Sequence, residues 1–128
     1  MTPSLEFDHY AIFVDDLARS VEFYRNVLGL KEVPEPFQDG RHVWLGIGGN
    51  LQIHIITPRS SSTRPTHDVH FAFRVDSLKD FIAHLESLGI PYGDQQPDRQ
   101  IRMRPDGIPQ TYFQDPDGHW LEVNEAKY

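Results

Sequence analysis

His9-Tyr-Ala-Ile-Phe-Val-Asp-Asp-Leu17 returns 61 residues later, counted from position 9 to position 70, as His70-Phe-Ala-Phe-Arg-Val-Asp-Ser-Leu78. Each copy begins with histidine, alternates its side chains as a strand does, and reaches a helix-capping residue just before a leucine. Downstream, Leu51-Gln-Ile-His54-Ile has its counterpart in His119-Trp-Leu-Glu122-Val, so each copy also closes on a residue able to bind a metal. A unit of this kind buries its apolar face only by meeting its sibling, so the repeat fixes the fold before it bears on chemistry.

Working outward, Tyr10, Ile12 and Val14 form one apolar row while His9, Ala11 and Phe13 point the other way. Asp15 or Asp16 caps a helix whose stripe is Leu17, Val21, Tyr24 and Leu28, and Gly29 ends it. The second copy repeats this with a strand from Val69 to Val75, a cap at Asp76 or Ser77, a stripe of Leu78, Ile82, Leu85 and Leu88, and Gly89 as terminator. Shorter strand-like pieces follow each helix. They run from Leu30 to Val33, Arg41 to Ile47 and Leu51 to Thr57 in the first copy, and from Pro91 to Asp94, Ile108 to Gln114 and His119 to Asn124 in the second. Asp39-Gly40, Gly48-Gly49-Asn50 and Asp115-Pro-Asp-Gly118 mark the turns. The predicted fold is α+β, with two βαβββ modules at about 5–57 and 67–126, joined by a polar, proline-bounded linker at 58–66. Asp98 to Asp106, carrying Arg99, Arg102 and Arg104, reads as a solvated edge or as a loop over the site.

The 128 residues suit one domain made of two small modules sharing a core. A formal charge of −7 with no basic cluster argues against nucleic acid, whose phosphates demand Lys and Arg. With no cysteine, neither disulfides nor thiolate sites are available, and any metal must be held by imidazole, carboxylate or water. Neither a signal-peptide pattern nor an apolar run long enough to span a bilayer is present, and the expectation is a cytoplasmic protein with a small-molecule substrate, no nucleic-acid partner and no membrane partner.

Strand alternation decides which way each candidate ligand faces. The row opposite His70 is Val69, Phe71, Phe73 and Val75; opposite His54 it is Leu51, Ile53 and Ile55; opposite Glu122 it is Leu121 and Val123. The helices need those apolar rows, so His9, His54, His70 and Glu122 lie on the face away from the helices, the concave one in a curved sheet. A lone strand histidine is ordinarily a partly solvated residue making common hydrogen bonds. Four ligand-type side chains at matched positions of a duplicated unit are costly if buried unpaired, and a divalent ion removes the cost. His42, His67, His84 and His119 lack this support and are set aside.

These residues carry a resemblance. The paired modules, the His-leading strands at His9 and His70, and Phe113-Gln-Asp-Pro-Asp-Gly-His-Trp-Leu-Glu122 together resemble the vicinal oxygen chelate superfamily over nearly the whole chain. That superfamily includes glyoxalase I, extradiol dioxygenases, bleomycin and fosfomycin resistance proteins, and methylmalonyl-CoA epimerase. The resemblance implies a curved, mixed eight-stranded cup with helices outside, one divalent ion (Zn, Ni, Co, Mn or Fe(II)) held by His9, His54, His70 and Glu122, and substrates that chelate it through two adjacent oxygens. It also implies a homodimer in which the cup is completed within one chain or across the pair.

Two chemistries follow from it, with Lewis-acid stabilisation of an oxyanion common to both. In the glyoxalase-like reading the ion stabilises an enediolate, and Glu122 or His54 shuttles the proton. Glyoxalase I has a glutamate at the position of His54, an arginine for glutathione at Phe13 and an asparagine at Pro58, so another substrate is implied. In the extradiol dioxygenase reading His9, His70 and Glu122 form a two-His, one-carboxylate triad, His54 is a non-ligand histidine, and Tyr112, ten residues before the glutamate, donates to a bound phenolate. Arg74, four residues from His70 on its face, is a candidate for an anionic substrate group, and Trp44 a candidate stacking surface. The resemblance also admits a metal-free, drug-sequestering binder of the bleomycin resistance kind.

Overall fold

The computed structural model describes residues 2–60 and 65–128. Two units divide the chain, Met1–Thr63 and Arg64–Tyr128. Part of the predicted linker, 61–64, lies outside the described residues.

In the first unit, β1 (His9–Phe13) leads into α1 (Leu17–Leu28), followed by β2 (Lys31–Val33), β3 (His42–Gly48) and β4 (Leu51–Ile56). The strand order is β1-β4-β3-β2, with β1 parallel to β4 and the remaining pairs antiparallel. The side chain of Asp16 accepts the backbone N–H of Arg19 at 3.1 Å, meeting one of the donors a helix start leaves unpaired. Leu45, Ile53, Ile55, Ile12 and Val14 are buried in the row that faces the helix. Removing each such side chain from water contributes about 1.5–3 kcal/mol. The buried arc of α1 is Ser20, Val21, Tyr24 and Val27. Leu17 and Leu28, expected in the stripe, are only half-buried. Ser20 and Val27 lie with Tyr24 along the neighbouring helical row, which is the one buried.

In the second unit, β5 (His70–Arg74) and α2 (Leu78–Ser87) are followed by β6 (Tyr92–Gly93), β7 (Arg102–Met103), β8 (Pro109–Gln114) and β9 (Trp120–Asn124). The order is β5-β9-β8-β6, with β7 also on β8. Leu78, Ile82 and Leu85 are buried, but Leu88, expected to complete the stripe, is 44 % exposed. Gly89 adopts φ +69, which only glycine takes easily, and its N–H reaches the Glu86 carbonyl at 3.1 Å while Ile90 N–H reaches Leu85 at 2.9 Å. The helix ends at Ser87, and Leu88, its C-cap, is left off the buried face.

The fold class is the predicted α+β, but the strands form a four-stranded and a five-stranded sheet in place of one sheet of eight. The additional strand comes from the arginine-bearing segment 98–106. Short β6 covers β8 only at Tyr112 and Phe113, leaving Pro109 and Gln110 to be paired by Met103 and Arg102. Buried Thr111, between the two, donates its hydroxyl toward the Gly93 carbonyl at 3.1 Å and the Gln100 carbonyl at 2.9 Å, tying both edge pieces to β8. Among the described residues, no helix is long and apolar enough to cross a membrane.

At Gly93 the chain passes so close to the Gln96 carbonyl and Asp98 that a methyl group has no room. Gly93→Ala is expected to destabilise the protein by about 1–3 kcal/mol in urea denaturation, against about 1 kcal/mol for Ser77→Ala, which removes the hydroxyl capping α2 at Asp80. A Gly93→Ala protein as stable as the parent contradicts this close crossing.

Candidate functional site

Residues directly paired across neighbouring strands share a face, so the registers assign each side chain to a rung. In the first unit Ala11, His54 and Trp44 make one rung, and in the second Ala72, Glu122 and Tyr112 make the matching one. Both follow one design: a small residue on the first strand, a ligand-type residue beside it, and an aromatic ring beyond. His9 and His70 sit one rung away on the same faces, paired with Gln52 and Trp120.

In the first unit the buried His54 ring lies between two others. His9 stacks on it with centroids 3.9 Å apart, and Trp44 lies on the other side at 3.8 Å and 2° from parallel. His54 Nε2 donates to Gln52 Oε1 at 2.8 Å, and His9 Nδ1 is 2.6 Å from Asp8 Oδ2. These anchors leave His54 Nδ1 and His9 Nε2 available. Stacked rings hold their lone pairs in parallel planes, so shared coordination requires one ring to turn. Burial first, and the neighbouring His9 second, hold the His54 pKa below its ordinary value against the opposing charge of Asp8. His54 is therefore kept as the neutral imidazole that binds metals. Phe37 extends the aromatic surface, stacked on His42 at 4.4 Å and edge-on to Trp44 at 6.2 Å. The Trp44 indole N–H is buried without a partner among the described residues.

The second unit is polar where the first is aromatic. Glu122 is buried, its Oε2 accepts Asn124 Nδ2 at 2.6 Å, and it is hydrogen-bonded by the Tyr112 hydroxyl, which in turn accepts Gln110 Nε2 at 3.0 Å. Its other oxygen, Oε1, lies 3.3 Å from His70 Nε2. His70 Nδ1 donates to the His67 carbonyl at 3.1 Å, which leaves Nε2 with its lone pair facing a carboxylate oxygen. Two lone-pair atoms so placed require a proton or a cation between them. Zn–N and Zn–O bonds of about 2.0–2.2 Å span such a gap with a single ion, so this pair fits a divalent metal. Burial above all, then the charge and hydrogen bond of Glu122, push the Tyr112 pKa up to about 12, with Asp94 adding to the rise and Arg102 opposing it.

Each unit therefore brings together two of the four predicted ligands, and among the described residues no group of three or more His, Asp or Glu is assembled for a metal. Trp44 packs on His54 and Tyr112 bonds Glu122. Arg74 shares the face of His70, paired with Asn124, its guanidinium 5.7 Å from the centre of the Tyr128 ring. Gln52, Gln110 and Asn124 were missed in the sequence, although alternation alone places them in the rows of His54, Tyr112 and Glu122. His67, set aside there, orients His70 through its carbonyl and packs on Tyr112 and Trp120 at 4.3 and 4.8 Å. It precedes β5, where no periodicity reports its direction.

The family model for the Glyoxalase/Bleomycin resistance protein/Dioxygenase superfamily matches residues 6–123. The YaeR protein of Escherichia coli is 31% identical over 125 residues, covering 91% of this chain and 93% of its own. A solved glyoxalase family protein of Bacillus anthracis is 29% identical with TM-score 0.76, covering 99% of this chain and 100% of its own. The solved lactoylglutathione lyase of Agrobacterium tumefaciens is 25% identical with TM-score 0.73, covering 98% and 96%.

Spectrophotometric titration of the metal-free protein is expected to show a tyrosine component that ionises only near pH 12 and that Tyr112→Phe removes. Since the folded pKa exceeds the unfolded value of about 10, the Tyr112 contribution to stability is complete below pH 10 and is lost as pH rises from there toward 12. Identical titration curves for the parent and Tyr112→Phe contradict the assignment.

Proposed function

Because the chain belongs to the Glyoxalase/Bleomycin resistance protein/Dioxygenase superfamily, we propose that it is a divalent-metal enzyme performing glyoxalase-like lyase or isomerase chemistry on a small substrate with two adjacent oxygens. The observation that carries this reading is the 3.3 Å approach of Glu122 Oε1 to His70 Nε2. His70 and Glu122, with His9 and His54, are the residues proposed to hold the ion (Zn, Ni, Co, Mn or Fe(II)), within one chain or across a homodimer. The two modules are read as one domain of a cytoplasmic protein.

When bound, the ion supplies Lewis acidity to the paired substrate oxygens. Glu122 is the proton carrier. Asn124 and Tyr112 fix its direction through hydrogen bonds on the buried side, so it needs little reorganisation to take a proton from carbon and return it to the neighbouring carbon. His54, neutral and anchored by Gln52, is the second candidate for that transfer. Trp44 and His9 cover both faces of its ring and keep water from it. The residues at His54, Phe13 and Pro58 depart from those of glyoxalase I, which favours a substrate other than a glutathione adduct.

Tyr112 supports a second reading. A phenol beside a His-and-carboxylate pair suits a catechol chelated to Fe(II), with His9, His70 and Glu122 as the triad, and hence ring-opening dioxygenation. Hemithioacetal turnover or proton exchange next to a carbonyl supports the lyase or isomerase, and oxygen uptake with catechols supports the dioxygenase.

Protein purified without chelator is expected to carry a divalent ion. Added ion at about a hundred times its Kd stabilises the fold by roughly 2.7 kcal/mol, a gain that His70→Ala and Glu122→Gln abolish in thermal unfolding. No bound ion, and no stabilisation by Zn, Ni, Co, Mn or Fe(II), contradicts the metalloenzyme and favours the metal-free, drug-sequestering binder.

A further inference from the structure

One rung from Glu122 and Tyr112, four strands of the second unit line up Arg102, Gln110, Asn124 and Arg74. Directly paired residues share a face, so all four side chains leave the sheet on the side that carries His70, Tyr112 and Glu122. Gln110 and Asn124 in the middle are buried and spend their amide N–H groups on Tyr112 and Glu122. The arginines at the two ends are exposed. Three strand intervals separate them by about 14 Å at the backbone, a gap that two arginine side chains close from either end.

Among the described residues Arg41 and Arg99 also lack an ion pair, so what distinguishes Arg74 and Arg102 is their place in this row. The chain carries 19 acidic and 12 basic side chains, and Arg25, Arg59 and Arg104 each pair with a nearby carboxylate. Among the described residues, neither Arg74 nor Arg102 has a carboxylate within ion-pair distance; Arg74 meets only the Tyr128 ring. An anion arriving at this face meets the negative charge of Glu122, so the row needs cations to receive it. Unpaired guanidinium groups supply them, in a planar form suited to carboxylate and phosphate oxygens.

We infer that Arg102 and Arg74 form an anion-binding row beside Glu122, and that the substrate carries a carboxylate or phosphate group next to its reacting oxygens. This deepens the function proposed above and rests on the same face being the substrate site. It requires no bound metal, and so it is tested separately.

The test is calorimetric titration of the full chain in chelator with lactate, with its neutral amide lactamide, and with inorganic phosphate. Lactate or phosphate is expected to bind at least about tenfold tighter than lactamide, and Arg102→Ala and Arg74→Ala each to weaken the anion about tenfold, with Arg102→Lys recovering part of the loss. Preference for lactate assigns the row to carboxylates, and preference for phosphate assigns it to phosphate esters. Equal binding of lactate and lactamide, no binding of either anion, or arginine variants that bind as the parent does, overturns the inference. Anion binding that persists in a protein taking up no divalent ion supports the row while removing the metalloenzyme.

Discussion

A carboxylate oxygen and the lone pair of an imidazole nitrogen, held 3.3 Å apart on neighbouring strands, repel unless something positive lies between them. The rest of the second unit maintains that approach. The His67 carbonyl takes the His70 Nδ1 hydrogen and thereby chooses which nitrogen faces Glu122. Asn124 and Tyr112 bind the carboxylate from the buried side, so it cannot turn away into solvent. The parallel pairing of β5 with β9 brings the two strands together, and the small Ala72, directly beside Glu122, leaves space above the sheet. Such satisfied polar groups, buried together, are costly to build and hold one geometry well.

The two units reuse one frame for different ends. Ala11, His54 and Trp44 occupy the rung that Ala72, Glu122 and Tyr112 occupy in the other unit. The aromatic rung stacks its histidine between two flat rings, where burial keeps it neutral. The polar rung wraps its glutamate in hydrogen-bond donors. In the proposed function a neutral imidazole and an oriented carboxylate are complementary tools for moving protons, and the repeat offers two equivalent positions for them.

Much of this was legible in the chain. The repeat of His9 to Leu17 at His70 to Leu78 located both first strands and both helices, because strand alternation and helical spacing are properties of local sequence. Alternation also put His9, His54, His70 and Glu122 on the faces away from the helices, as the registers have it. What failed was set by contacts distant in sequence. Nothing local reveals that β6 is too short to cover β8, so the pairing of Arg102 with Gln110 was hidden within a segment read as edge or loop. Leu88 fitted the apolar stripe, but the helix ends at Ser87 and leaves that position off the buried face. His67 lies ahead of its strand, where periodicity has no hold on direction, and its backbone carbonyl, rather than its side chain, orients His70.

X-ray absorption spectroscopy of the zinc-loaded protein reports most directly on the cation proposed between His70 and Glu122. The account predicts a shell of imidazole nitrogens together with carboxylate oxygen, and loss of imidazole scattering in His70→Ala. A shell of oxygen alone, or a spectrum that His70→Ala leaves unchanged, contradicts it.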